Sequence, residues 1–102
     1  GATAEVDFNV LFAPVINQPA QTDAIADAAA TVVGESRVNR LKPPTMGSED
    51  FSFMMEKAPG AYIQFGNGPS ADLHNPAYEF NDEAIPYGAA MLVTLVQRQL
   101  PA

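Results

Sequence analysis

Residues 61–82 run Ala61-Tyr62-Ile63-Gln64-Phe65-Gly66-Asn67-Gly68-Pro69-Ser70-Ala71-Asp72-Leu73-His74-Asn75-Pro76-Ala77-Tyr78-Glu79-Phe80-Asn81-Asp82. Ala61–Phe65 has the composition of a buried strand, bounded by Gly60 on one side and Gly66-Asn67-Gly68-Pro69 on the other. A loop of about fifteen residues follows, from 67 to 81, and loops of that length without their own secondary structure are functional or disordered. Tyr78 and Phe80 argue against disorder, because disordered segments are poor in aromatics. Asn81 or Asp82 can then cap a helix over about residues 83–99, with Glu83 in its first turn. A strand, a long loop and a helix in this order are parts of an α/β fold. Such folds keep their sites in the loops that leave the carboxyl ends of strands.

Upstream of this stretch the same alternation continues. Ala4, Val6, Phe8, Val10 and Phe12 fall on one face of a period-two pattern, with Thr3, Glu5, Asp7 and Asn9 on the other. This predicts a half-buried strand over about residues 3–13, ended by Pro14. No hairpin partner stands near it, so its partners are expected before Gly1. A helix is predicted over about residues 20–33, with Asn17 or Thr22 as cap and Pro19 in its first turn. Its core stripe is Ile25, Ala28, Ala29, Val32 and Val33, and Gly34 suits the left-handed stop. Residues 37–41 are predicted as a short strand. Pro43-Pro44 then breaks regular structure, and a short helix is expected from Ser48 towards Lys57. The final helix carries Ile85, Ala89, Leu92, Val93, Val96 and Leu100 on one side, widened by Met91 and Leu95. An apolar arc that wide predicts burial on more than one side.

Composition narrows the function classes. The chain has 102 residues, a net charge of -7 and five Lys plus Arg in total. A nucleic-acid partner needs a basic stripe, and these five cations are scattered, so nucleic acid is excluded. An anionic membrane surface is disfavoured for the same reason, and no apolar run approaches a bilayer span. There is no cysteine, hence no disulfide framework and no thiolate metal site, which fits a cytoplasmic location.

Two segments hold groups that could carry chemistry. His74 is the one imidazole, and imidazole is both a common metal ligand and a general base. A loop histidine bonded only to backbone or water is the plainer alternative. Catalytic zinc needs three protein ligands and an open position, so further ligands would be carboxylates or lie outside this sequence. Asp72, Glu79, Asp82 and Glu83 flank His74 and could supply oxygens, or could simply cap and solvate. Glu49-Asp50 sits at a helix start, where acidic residues compensate the dipole. Gly47-Ser48 could present backbone N–H groups to an anion there.

Taken together, three stretches resemble a specific family: Pro44-Thr45-Met46-Gly47-Ser48-Glu49-Asp50-Phe51-Ser52, then Pro59-Gly60-Ala61-Tyr62 with Gly66-Asn67-Gly68, then Leu73-His74-Asn75-Pro76 with Tyr78, Phe80, Asn81 and Asp82. They are similar to the C-terminal signature of the metal-dependent amidohydrolases. These are the hippurate, N-acyl-amino-acid and auxin-conjugate hydrolases, relatives of the zinc aminopeptidases. The resemblance covers nearly the whole chain.

It implies an α/β parent with a zinc-peptidase-like catalytic domain and an inserted α+β dimerisation domain. Residues 1–16 would be the last strand of the insert, and residues 17–102 the C-terminal part of the catalytic domain. It implies two divalent metal ions in the full-length parent (zinc, with manganese or cobalt as alternatives). His74 would be one metal ligand. Gly47 and Ser48 would be substrate contacts. The other ligands and the catalytic general base would lie in the N-terminal remainder of the same protein, so no catalytic residue is expected in this chain, and alone it should be inactive. The implied reaction is cleavage of the amide bond of an N-acyl amino acid, in a homo-oligomer assembled through the insert. The competing expectation is a non-catalytic α/β module for binding or dimerisation, in which His74 is incidental.

Overall fold

The computed structural model describes residues 1–100. Among the described residues three α-helices and one 3-10 turn form: α1 (Pro19–Val33), the turn Glu35–Arg37, α2 (Phe51–Met55) and α3 (Ala84–Gln99). Helices α1 and α3 pack on each other. Ile25 and Ala28 of α1 are buried against Met91 of α3, with Ala29, Val32, Leu95, Ala61 and Ile63 packed around them.

The local causes are visible at each end. Pro19 opens α1, where its missing N–H costs nothing. Gly34 stops it at φ 85°, a value that strains any side chain bearing Cβ, and its N–H donates to the Ala30 carbonyl at 2.9 Å. Neither expected cap holds α1. The Thr22 hydroxyl donates back to the Gln18 carbonyl at 2.9 Å, and the Asn17 side chain is engaged elsewhere. At α3, the Asn81 carbonyl accepts from the Ala84 N–H, while its side-chain oxygen accepts from the Glu83 N–H at 3.0 Å. The expected cap residue therefore leads into the helix as an Asx turn, with Glu83 standing at the cap position. The Arg98 guanidinium, in the last turn, donates to the Thr31 hydroxyl at 2.8 Å and ties the end of α3 to α1.

The three expected strands differ from what forms. Among the described residues none belongs to a strand ladder. The stretch 37–41 bends instead, and an ion-pair cluster explains why. Arg40 donates to both carboxylate oxygens of Glu35, at 2.7 and 2.9 Å, and to Asp27 at 2.8 Å. A contact between residues five apart is closer than an extended chain allows. The clustered charges hold the Glu35 carboxyl below its ordinary pKa, chiefly through the Arg40 hydrogen bond.

Residues 3–13 and 61–65 carry no helix or turn but lack a paired neighbour along their length. For 61–65 the neighbouring chain is partly imitated. The Asn17 carboxamide donates to the Tyr62 carbonyl and accepts from the Tyr62 N–H, both at 2.8 Å, and the Gln18 N–H donates to the Gly60 carbonyl at 3.0 Å. Along 3–13 the side chains of both faces stand in solvent. Val6 and Phe8 are more than four-fifths exposed, and the one ring contact is Phe12 on Phe53 at 5.7 Å.

The result is an open shape. The radius of gyration is 17.9 Å, against about 13 Å for a compact chain of this length. The accessible surface is 8608 Å², roughly 3,000 Å² above the scaling for a folded monomer of this mass. Much of that surface is apolar, including Ile85, Leu92, Val93 and Val96 on the outer side of α3. The arc predicted to be buried on two sides is buried on one.

Candidate functional site

The long loop is ordered by amide side chains at two levels. Asn67 closes its neck: the carboxamide donates to the Glu79 carbonyl at 2.6 Å and accepts from the Asn81 N–H at 2.7 Å. Beside it the Ser70 hydroxyl accepts from the Glu79 N–H at 3.0 Å. Asn75 shapes the tip. Its N–H donates to the Asp72 carbonyl, its carbonyl accepts from the Tyr78 N–H, and its side-chain oxygen accepts from the Ala77 N–H at 2.9 Å. His74 stands between these bonds at φ 66°, the one non-glycine residue with positive φ among the described residues. Histidine is among the residues that tolerate this region, yet the conformation still costs about 1 kcal/mol or more. The turn at Asn75 holds it there, and the imidazole is exposed.

The second segment is organised by Tyr62. Helix α2 starts at Phe51, later than expected, with Asp50 in helical geometry at the cap position and no side-chain cap. Ser48 therefore does not cap it, and Glu49 serves the helix start through its carbonyl, which accepts from the Ser52 N–H at 3.2 Å, rather than through its side chain. The Tyr62 hydroxyl donates to a Glu49 carboxylate oxygen at 2.9 Å, with the Phe51 ring packed on Tyr62 at 5.5 Å. The bond to Glu49, partial burial and the charges of Glu49 and Asp50 together raise the Tyr62 pKa above 10.0. The neutral phenol is the favoured form. Its contribution to stability is complete below the unfolded value and is lost as pH rises through the higher folded value. Replacing Glu49 by glutamine should return the Tyr62 titration towards 10.0, read as phenolate absorbance against pH. An unchanged titration curve would mean that the pair is not formed.

Gly47 and Ser48 line a cleft of about 880 Å³ together with Glu49 and Tyr62, and with Tyr87 and Met91 of α3 on its far side. His74 lines neither this cleft nor the shallow groove formed by Val32, Glu83, Pro86, Tyr87 and Ala90. The structure thus brings the two expected substrate contacts to one hollow and leaves the expected ligand apart from it. Sequence reasoning placed Tyr62 and Asn67 in the family signature but assigned neither a role. Tyr62 carried no polar signal inside an apolar run, and Asn67 between two glycines reads as an ordinary turn residue.

Among the described residues, no three His, Asp or Glu side chains converge as a metal cage. One exposed imidazole on an ordered loop is a sound donor for one coordination position, and zinc takes such nitrogens readily. A single imidazole could fill one coordination position of such a metal, and the described residues offer no further cluster to complete it.

Comparison with known proteins places the chain. The profile of a family described as "Peptidase family M20/M25/M40" matches residues 3–98. The chain is 32% identical to IAA-amino acid hydrolase ILR1-like 4 of Arabidopsis thaliana, over 95% of its own length and 24% of that protein's. It is 34% identical to IAA-amino acid hydrolase ILR1-like 5 of the same plant, over 87% of its own length and 21% of the relative's. It is also 32% identical to the putative glutamate--cysteine ligase 2-3 of Rhodococcus jostii (strain RHA1), over 82% of the chain but only 11% of that protein. The chain spans about a quarter of the length of the hydrolase relatives it matches. No solved structure matches it significantly.

Proposed function

The chain belongs to peptidase family M20/M25/M40, and from that membership we propose that it is the C-terminal portion of a metal-dependent amidohydrolase that cleaves the amide bond of N-acyl amino acids. The observation that carries the reading is the match over residues 3–98, joined to relatives named as IAA-amino acid hydrolases. The open shape and the surplus surface support a chain that is completed by further polypeptide. In this reading residues 17–102 join the catalytic domain, within an α/β sheet that supplies partners for Ala61–Phe65. Residues 1–16 are the last strand of an inserted domain through which copies pair, and their exposed alternating face is in keeping with that. Among the described residues no helix is long and apolar enough to cross a membrane, and we place the protein in the cytoplasm on its lack of cysteine.

His74 contributes one imidazole nitrogen to the metal site, and Gly47 and Ser48 contact the substrate along the cleft. A divalent metal held by His74 and by ligands from the N-terminal remainder would supply Lewis-acid polarisation of the amide carbonyl. The general base is supplied by the N-terminal remainder. Zinc, manganese or cobalt would serve. The test is hydrolysis of hippurate, other N-acyl amino acids and indole-acetyl amino acids by the purified full-length protein, read as released amine. Turnover that is abolished by a chelator and restored by one of these metals is expected. Absence of turnover on the whole set in the presence of metal would leave the non-catalytic module as the better reading.

A further inference from the structure

We propose that Asn67 is a positioning residue for His74, acting as the clasp that closes the loop carrying it; the inference rests on the reading of His74 as a metal ligand. Three observations lead to it. First, the Asn67 carboxamide uses both of its ends on the far side of the loop, at the Glu79 carbonyl and the Asn81 N–H, and so joins positions 12 and 14 residues away. These bonds have the pattern that a neighbouring strand would make, but they come from a side chain. Second, Asn67 is itself partly buried, whereas residues 72–77, including His74, are exposed. No core packing holds the tip in place, so its geometry depends on the neck and on the turn at Asn75. Third, His74 occupies left-handed backbone, a conformation that relaxes unless its surroundings over-determine it. The adjacent Gly68, at φ 80°, lets the chain turn so that the Asn67 side chain faces the returning segment; a Cβ there would lie 3.6 Å from the Asn81 side-chain nitrogen.

The clasp thus converts a flexible loop closure into a fixed presentation of one imidazole. Groups hydrogen-bonded to a metal ligand change metal affinity by about 10–100-fold when lost, and Asn67, which acts on His74 through the loop rather than by contact, should fall at the lower end. The same loop without its clasp would still fold, because the α1–α3 contact does not involve it.

The experiment uses the full-length protein with Asn67→Ala, Asn67→Asp and His74→Ala in parallel. Zinc affinity is read by competition with a chelating dye, amide exchange is read over residues 72–80, and thermal unfolding is read in excess chelator. For Asn67→Ala we expect zinc affinity to fall about 10-fold. Exchange of the loop amides should be faster, and apo unfolding should stay within a few degrees of wild type. Asn67→Asp keeps the acceptor for the Asn81 N–H and loses the donor to Glu79, so it should fall between Asn67→Ala and wild type. It also serves should the alanine variant not fold. Zinc affinity within threefold of wild type in both Asn67 variants, with His74→Ala losing the metal, would overturn the clasp and leave the ligand standing. If His74→Ala itself keeps the metal, the ligand reading falls first and the clasp with it.

Discussion

Replacing His74 by alanine in the full-length protein is expected to cut metal affinity by about 100-fold or more, since loss of a ligand should exceed the loss of a group that merely orients one. Amide hydrolysis should fall with the metal. The fold should survive. The imidazole is exposed and packs against none of the core formed by Ile25, Ala28 and Met91, and substitutions at such surface positions usually change stability by about 0.5 kcal/mol or less. One complication comes from the backbone. At φ 66° alanine carries a strain of about 1–2 kcal/mol, and a strained loop could lower activity without any role in ligation. His74→Asn separates the two effects, because asparagine tolerates left-handed backbone. Both variants should lose the metal to a similar extent, and only the alanine variant should loosen the loop. Metal content and turnover that match wild type in both would mean that the plainer reading of a loop histidine was right.

The second large effect concerns the 102-residue chain by itself. It should show no metal-dependent hydrolysis of N-acyl amino acids, which amounts to a loss of at least about a millionfold relative to a working enzyme. One histidine cannot hold a catalytic metal, and the described residues provide no further cluster of ligands. Its unfolding should also lack a sharp cooperative transition. Two helices share a core of three buried apolar residues, while Val6, Phe8, Leu92, Val96 and other apolar side chains stay in water. Hydrophobic stabilisation scales with the apolar area removed from water, and here little is removed. Measurable turnover by the purified chain, or a steep urea transition, would contradict this.

Helices were the most legible part of the sequence. The stripe Ile25, Ala28, Ala29, Val32 and the stop at Gly34 predicted α1 closely, because both signals are local. The last helix was legible for the same reason. Cap identities were less so, since Asn17 and Ser48 each had a competing use for their polar groups or none at all. The strands were not legible in the same sense. Alternation at Ala4–Phe12 specifies which face could be buried, but a ladder needs a second chain to supply its hydrogen bonds. At residues 37–41 the expected short strand is replaced by a turn that brings Arg40 onto Glu35 and Asp27. For the site, residue type drew attention to His74, while its role as a ligand and the roles of Gly47 and Ser48 came from the family resemblance. The Tyr62–Glu49 bond and the Asn67 clasp are contacts between segments 12 to 14 residues apart, and nothing in residue type or local spacing announces such pairings.

The most direct test of the central claim is a crystal of the full-length protein grown with zinc, with anomalous diffraction recorded on both sides of the zinc absorption edge. An anomalous peak is expected about 2.0–2.1 Å from one ring nitrogen of His74, with further ligands from the remainder of the protein. A zinc peak held entirely by other residues, with the His74 ring turned to solvent, would contradict it.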